Sequence, residues 1–298
     1  MRGGFVATIV IVGLVLGVIL ILDQGLSLDG LSAQSQLTPT THIHGVVVLP
    51  GRLRPVGPAG RWKLAFDDEF PKRSLNKAKW YPTCPWSGTN YVCTAGDGSL
   101  NCFDPRNAFV HTGTLYLRVE RRTLRCVGRV HKFDGAWIAT DHWSRRPHFA
   151  FTYGYLEARI RMPDASGGHG YWAGFWSGAV NGDWPPEMEV AEWQSNYPTI
   201  VGLYYHYKCG SGHCVAGTNY NARSDLSAGW HIYGVDWEPH SVTWYVDGRR
   251  VYTWSGTTTR TAMDIRLSLE VNGSWDRVSP RTAFPQSMLV DYVRVWRH

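Results

Sequence analysis

Concentrated charge is what this chain lacks. Asp, Glu, Lys and Arg make up 18% of its 298 residues and hydrophobic residues 44%, a balance that excludes a disordered chain. The formal net charge is +6, yet no lysine-rich run or basic helix gathers it. Nucleic acid is therefore not an expected partner. No C-x-x-C pair occurs, so a structural zinc site is not expected. Walker A, H-E-x-x-H and G-x-S-x-G stretches are also missing. Residues 168–173 fit G-x-G-x-x-A, but strand-like aromatics follow where a dinucleotide site needs a helix. Internal repeats and long amphipathic helices are absent.

Aromatics are abundant instead. The chain has 15 Trp and 15 Tyr, more indoles than core packing needs, so part of them are expected as platforms that stack on flat ligands. From about Gly57 onward, short aromatic and β-branched runs alternate with turn signals. Residues 241–246 and 249–254 flank Asp247-Gly248, a type I′ hairpin signal. Residues 114–120, 153–162 and 288–296 also alternate. The pattern predicts an all-β fold over 57–298, an antiparallel β-sandwich or jelly roll.

Phe5 to Leu22 carries no charge and follows Arg2, with Asp23 and Asp29 beyond it. Residues 1–22 read as a signal anchor or signal peptide, which places the rest outside the cytoplasm. Residues 23–56, rich in Ser, Thr, Gly and Pro, read as a linker. The membrane is expected as a partner only through the first segment, and the protein as a monomer. The six cysteines are 84, 93, 102, 126, 209 and 214, an even count that behind an export signal reads as disulfides. Cys209 and Cys214 close a short glycine-bearing loop and are expected to pair. The other four allow three connectivities.

Residues 184–193 read Trp-Pro-Pro-Glu-Met-Glu-Val-Ala-Glu-Trp, with three glutamates in six residues and no cation beside them. On a regular strand Glu187 and Glu189 share a face, while Glu192 points away. A β-bulge near Val190-Ala191 would return Glu192 to that face. Paired carboxyls suit glycoside hydrolysis: a retaining enzyme uses one as nucleophile and one as acid, then base, about 5–5.5 Å apart. An ionised nucleophile keeps its neighbour protonated. The residues alone leave two other readings, an acidic sheet face without function and a calcium-binding lectin face.

The stretch resembles the active-site strand of glycoside hydrolase family 16, whose bulged, laminarinase-like branch reads E-x-D-x-x-E. The resemblance extends over LAFDDEF (64–70), FTYGYLEARIRMP (151–163), YWAGFWSG (171–178), HIYGVDWEPHSVTWYVDGRRV (231–251) and MLVDYVRVW (288–296), in the family's order. It implies a concanavalin-like jelly roll with a concave cleft and a retaining endo-glycanase. The expected substrate is β-1,3- or β-1,3/1,4-glucan, with a galactan, transglycosylation or sugar binding without turnover as alternatives. It implies Glu187 as nucleophile, Glu192 as acid/base and Glu189 in the place of the assisting Asp. Trp172, Trp176, Trp184 and His206 would bind sugar. No cofactor is required, and a structural Ca²⁺ would use Glu69 and Asp291. The chain departs from the family at Glu189 and in LSLEVNG (267–273). Asn272-Gly273-Ser274 fits a glycosylation sequon.

Overall fold

The computed structural model describes residues 41–43, 46–48, 53–88, 93–95, 98–273 and 277–298. The apolar segment expected at 1–22 lies outside them. Among the described residues no helix is long and apolar enough to cross a membrane. Strands β1 (Thr41–Ile43) and β2 (Val46–Val48) pair antiparallel within the unit Met1–Pro50.

The second unit, Gly51–His298, carries the sandwich. It begins with β3 (Lys63–Asp68), β4 (Asn101–Phe103), β5 (Ala108–His111), β6 (Thr114–Val119), β7 (Leu124–Cys126), β8 (Arg129–His131) and β9 (Phe133–Ala139). It continues through β10 (Gly154–Arg161), β11 (Tyr171–Gly178), β12 (Glu187–Gln194), β13 (Ile200–Cys209) and β14 (Gly212–Asn221). The last strands are β15 (His231–Glu238), β16 (Ser241–Val246), β17 (Arg249–Ser255), β18 (Arg266–Val271) and β19 (Gln286–Arg297).

One sheet runs β17-β16-β15-β10-β19-β6-β5, with β3 also on β19. The other runs β14-β13-β12-β11-β18-β9-β4 and is antiparallel except for β4 beside β9. Sequence neighbours are often not sheet neighbours, as a jelly roll requires, so the all-β expectation holds. Alternation drives it. Leu115, Leu117 and Val119 of β6, and Val242, Trp244 and Val246 of β16, point inward while their neighbours do not. The core lies between the sheets, where Val235 and Trp237 of β15 join one cluster with Phe175 of β11 and Leu203 of β13. Asp247 (φ 50°) and Gly248 (φ 76°) both take positive φ between β16 and β17, as a type I′ turn demands.

Residues just before β3 are tied to the outer face of the first sheet. Val56 N donates to Glu157 Oε2 at 2.7 Å, and Tyr155 Oη donates to Val56 O at 2.8 Å. The cysteines pair 84–93, 102–126 and 209–214, which realises the one expected pair and selects among the three open connectivities. Asn272 is fully buried, so the sequon at 272 cannot carry a glycan on the folded chain.

Candidate active site

Strand β12 carries the expected bulge. Trp176 faces Glu189 and Phe175 faces Ala191, so Val190 has no partner of its own on β11. On β13, Tyr204 faces Glu189 and Gly202 faces Glu192. Met188, Val190, Ala191 and Trp193 all turn into the core, and Glu187, Glu189 and Glu192 remain half-buried on the opposite face. A bulge also frees a backbone carbonyl. The indole Nε1 of Trp244, from the opposite sheet, donates to Glu189 O at 2.8 Å.

Cross-strand neighbours set what surrounds each carboxyl. Glu192 lies between Gly174 and Gly202, Glu189 between Trp176 and Tyr204, and Glu187 between Gly178 and His206. The glycines make room for larger neighbours: the Arg266 guanidinium lies over Gly178, beside Glu187, and Ser268 Oγ and the Trp176 indole lie over Gly174, beside Glu192. A Cβ at Gly202 would stand 3.2 Å from Glu192 Oε2 and 2.6 Å from the Tyr204 ring. The next strand, β18, puts Arg266 beside Trp176 and Ser268 beside Gly174.

The electrostatics separate the three acids. Burial and then the charge of Glu187 push the Glu192 carboxyl up to about 7, against a hydrogen bond from the Trp172 indole that favours its ionised form. Glu189 is raised well above the usual carboxylate range by burial, then by the charges of Glu187 and Glu192. The rise favours its protonated form, and its side chain hydrogen-bonds to Glu187. Arg266 opposes that rise, but its guanidinium is held by Asp264 at 2.8 and 2.9 Å. Burial, then the charge of Asp264, also pushes Asp141 up to about 6.

The expected sugar-binding residues divide. Trp172 faces the glutamates. Trp184 is 56% exposed, with its ring centroid 5.8 Å from that of His206 and 4.6 Å from that of His213. Trp176 is floor rather than platform: only 9% exposed, it has the Arg266 guanidinium 4.6 Å from its ring and Trp137 packed at 5.1 Å. Trp86 and Trp143 continue this aromatic wall, with Trp143 44% exposed. His206 Nε2 stands 3.8 Å from Glu187 Oε1. Burial and then His213 hold its imidazole below the usual histidine value.

Sequence reasoning does not single out His213, Arg266, Asp264 or Trp137. One signal exists for His213. The hairpin closed by Cys209 and Cys214 puts it diagonal to His206.

Glu69 and Asp291, the expected calcium ligands, do not fit a calcium site as they stand. Glu69 is taken in a bidentate pair by Arg294, at 2.7 and 2.9 Å, and Asp291 by Arg159 at 2.8 Å. A cation there would have to displace both guanidiniums.

The sequence profile of glycosyl hydrolases family 16 matches residues 111–294. An endo-1,3-1,4-beta-glycanase of Rhizobium meliloti (strain 1021) is 31% identical over 150 residues, covering 50% of this chain and 31% of that protein. The chain thus spans about a third of that relative's length. A beta-glucanase of Rhodothermus marinus is 25% identical over 272 residues, covering 80% of this chain and 86% of that protein. The laminarinase catalytic domain of Thermotoga maritima MSB8 superposes with a TM-score of 0.69 at 23% identity, over 80% of this chain and 99% of that one.

Proposed function

The chain belongs to glycosyl hydrolases family 16, and from that premise we propose that it is a retaining endo-β-glycanase. Its substrate is a β-1,3- or mixed β-1,3/1,4-glucan. The observation that carries the reading is the bulge that puts Glu187, Glu189 and Glu192 on one open face. The activities that the relatives are named for support it.

Glu187 attacks the anomeric carbon while Glu192, protonated up to about pH 7, gives its proton to the leaving glycosidic oxygen. The C–O bond breaks and a glycosyl ester forms on Glu187. Glu192, now a carboxylate, takes a proton from water as that water attacks the same carbon, and the ester bond breaks. The Trp172 hydrogen bond stabilises Glu192 in this second, ionised role. Glu189 is the proton-bearing neighbour that orients Glu187 through its hydrogen bond. Trp184 and Trp172 supply ring faces for sugar.

The three disulfides suit an oxidising compartment, and we place the catalytic unit outside the cytoplasm. Residues 1–22 would deliver it there, as an anchor or a cleaved signal.

The test is proton NMR of the anomeric signals during hydrolysis of laminarin and of a mixed-linkage glucan. A β-anomer formed first, followed by mutarotation, is expected. An α-anomer formed first would contradict the two-step route. Turnover of a galactan alone would keep the residues and change the substrate.

A further inference from the structure

Granted the glycanase reading, we infer that His213 is a positioning residue that fixes which nitrogen of His206 carries the proton beside Glu187. The imidazoles of His206 and His213 stack with ring centroids 5.1 Å apart, and His206 Nδ1 lies 2.9 Å from His213 Nε2. The other nitrogen of His206, Nε2, lies 3.8 Å from Glu187 Oε1.

A neutral imidazole has one N–H. His206 is held neutral by burial and by His213, so its single proton must choose between the two sides. An ionised Glu187 selects the proton on Nε2, because an N–H facing a carboxylate is favourable and a lone pair is not. Nδ1 is then the acceptor, and His213 Nε2–H must be the donor. The result is one directed chain, His213 Nε2–H to His206 Nδ1 and His206 Nε2–H toward Glu187. Apart from Glu187 on β12 and His213 on β14, His206 has Lys208 and Tyr204 as polar neighbours on its own face of β13.

Three features hold His213 in place. The Cys209–Cys214 disulfide closes the hairpin tip beside it. Its strand register puts it opposite Lys208 and diagonal to His206. The Trp184 ring packs 4.6 Å from its own. The same contact makes His213 a prop for Trp184, the exposed indole proposed to bind sugar.

The test uses the full chain, labelled with ¹⁵N, and compares the native protein with His213→Ala and His213→Gln. Ring ¹⁵N shifts are followed as pH is lowered from 8, with the His206 signals assigned from a His206→Gln sample. In the native protein Nε2 is expected to carry the proton and Nδ1 to show the shift of a hydrogen-bond acceptor. In His213→Ala, Nδ1 moves to the free-imine position and His206 takes up its second proton roughly half a pH unit or more earlier on the descent. His213→Gln, which keeps an N–H donor at that place, restores the native Nδ1 shift. Laminarin turnover is read beside it: kcat/KM falls roughly 10- to 100-fold in His213→Ala and recovers in large part in His213→Gln.

Unchanged His206 signals in His213→Ala would overturn the inference whatever the activity. So would a His213→Gln protein that behaves as His213→Ala does. If native protein and variants all fail to cut any glucan while the ring signals move as described, the positioning role stands and the proposed function falls.

Discussion

Glu192 is the residue on which the chemistry turns, because its side chain must hold a proton in one step and release it in the next. Burial first and the Glu187 charge second push its carboxyl to about 7. The acid must be protonated to act, so kcat/KM is expected to fall about tenfold per pH unit above pH 7. A pH series with laminarin checks this, and a flat profile from 6 to 9 would remove Glu192 from the acid role. Glu192→Gln is expected to lose about 10²- to 10⁴-fold on a glucan, and far less on an aryl glycoside whose leaving group needs no proton. Comparing the two substrates separates proton donation from general damage. Glu189 is legible in the sequence as an acid in a row and, through the family resemblance, as the residue in the place of the assisting Asp. That its carboxyl is pushed toward the protonated form follows from its burial between Glu187 and Glu192, which needs the folded sheet.

At the level of the element, β12 depends on its bulge and on the indole that accepts the consequence. Trp244 belongs to the other sheet, yet its Nε1 donates to the carbonyl of Glu189. Trp244→Phe fills most of the volume but leaves that carbonyl without the donor. It is expected to cost about 1–3 kcal/mol, read as a lower denaturation midpoint, and to slow turnover through a shifted Glu189. Deleting Val190 removes the extra residue and leaves the glutamates at spacings of two and two, which a regular strand holds on one face, with Trp193 still in the core. That variant is expected to keep measurable turnover of laminarin, because the three carboxyls stay together, and to melt a few degrees lower (roughly 2–8 °C) for the lost Val190 side chain; full inactivity in a folded variant would mean that the bulge itself, and not only the shared face, is required.

The bulge itself is legible in the order of residues. Three glutamates at spacings of two and three cannot share a regular strand face, and Val190-Ala191 is the only apolar pair between the last two. The Asp247-Gly248 turn and the Cys209–Cys214 pair are legible for the same local reason. The Trp244 bond, the Arg266–Asp264 pair under Trp176, and the commitment of Glu69 and Asp291 to arginines are not. Each depends on which strands lie side by side or face to face, and periodicity carries no information about the partner across a sheet.

Over the whole molecule, the carboxyls that burial raises make stability fall as pH rises, while Asp104, held at about 2 against its burial by hydrogen bonds from Arg106 and Arg122, acts in the opposite sense at low pH. Glu157, fully buried beneath residues 53–56, is pushed up to about 7 by burial, against hydrogen bonds from Val56 and Tyr292 that favour its charge. The folded state keeps its proton where the unfolded chain has released it. Its contribution to stability is therefore fully present below about pH 4.5 and declines as pH rises toward about 7. Glu157→Gln mimics the protonated form, keeps an acceptor for Val56 N–H and turns the Tyr292 hydroxyl into an acceptor. It is expected to stabilise the protein by about 1–3 kcal/mol at pH 8 and by little at pH 4.5, measured by thermal melts at both pH values. Equal shifts at both pH values would mean that packing and not ionisation is responsible. Glu189 and Glu192 act in the same direction, so the cleft lowers the stability of the sandwich at neutral pH while holding acids ready for proton transfer.

Reducing-end release from laminarin by the full chain, with Glu187→Gln measured in parallel, tests the central claim most directly. Steady release by the native protein is expected, with a loss of about 10⁴-fold or more in the variant and glucan binding retained. Release undiminished in Glu187→Gln would contradict the claim, because the glutamate row on β12 would then not be where the bond is cut.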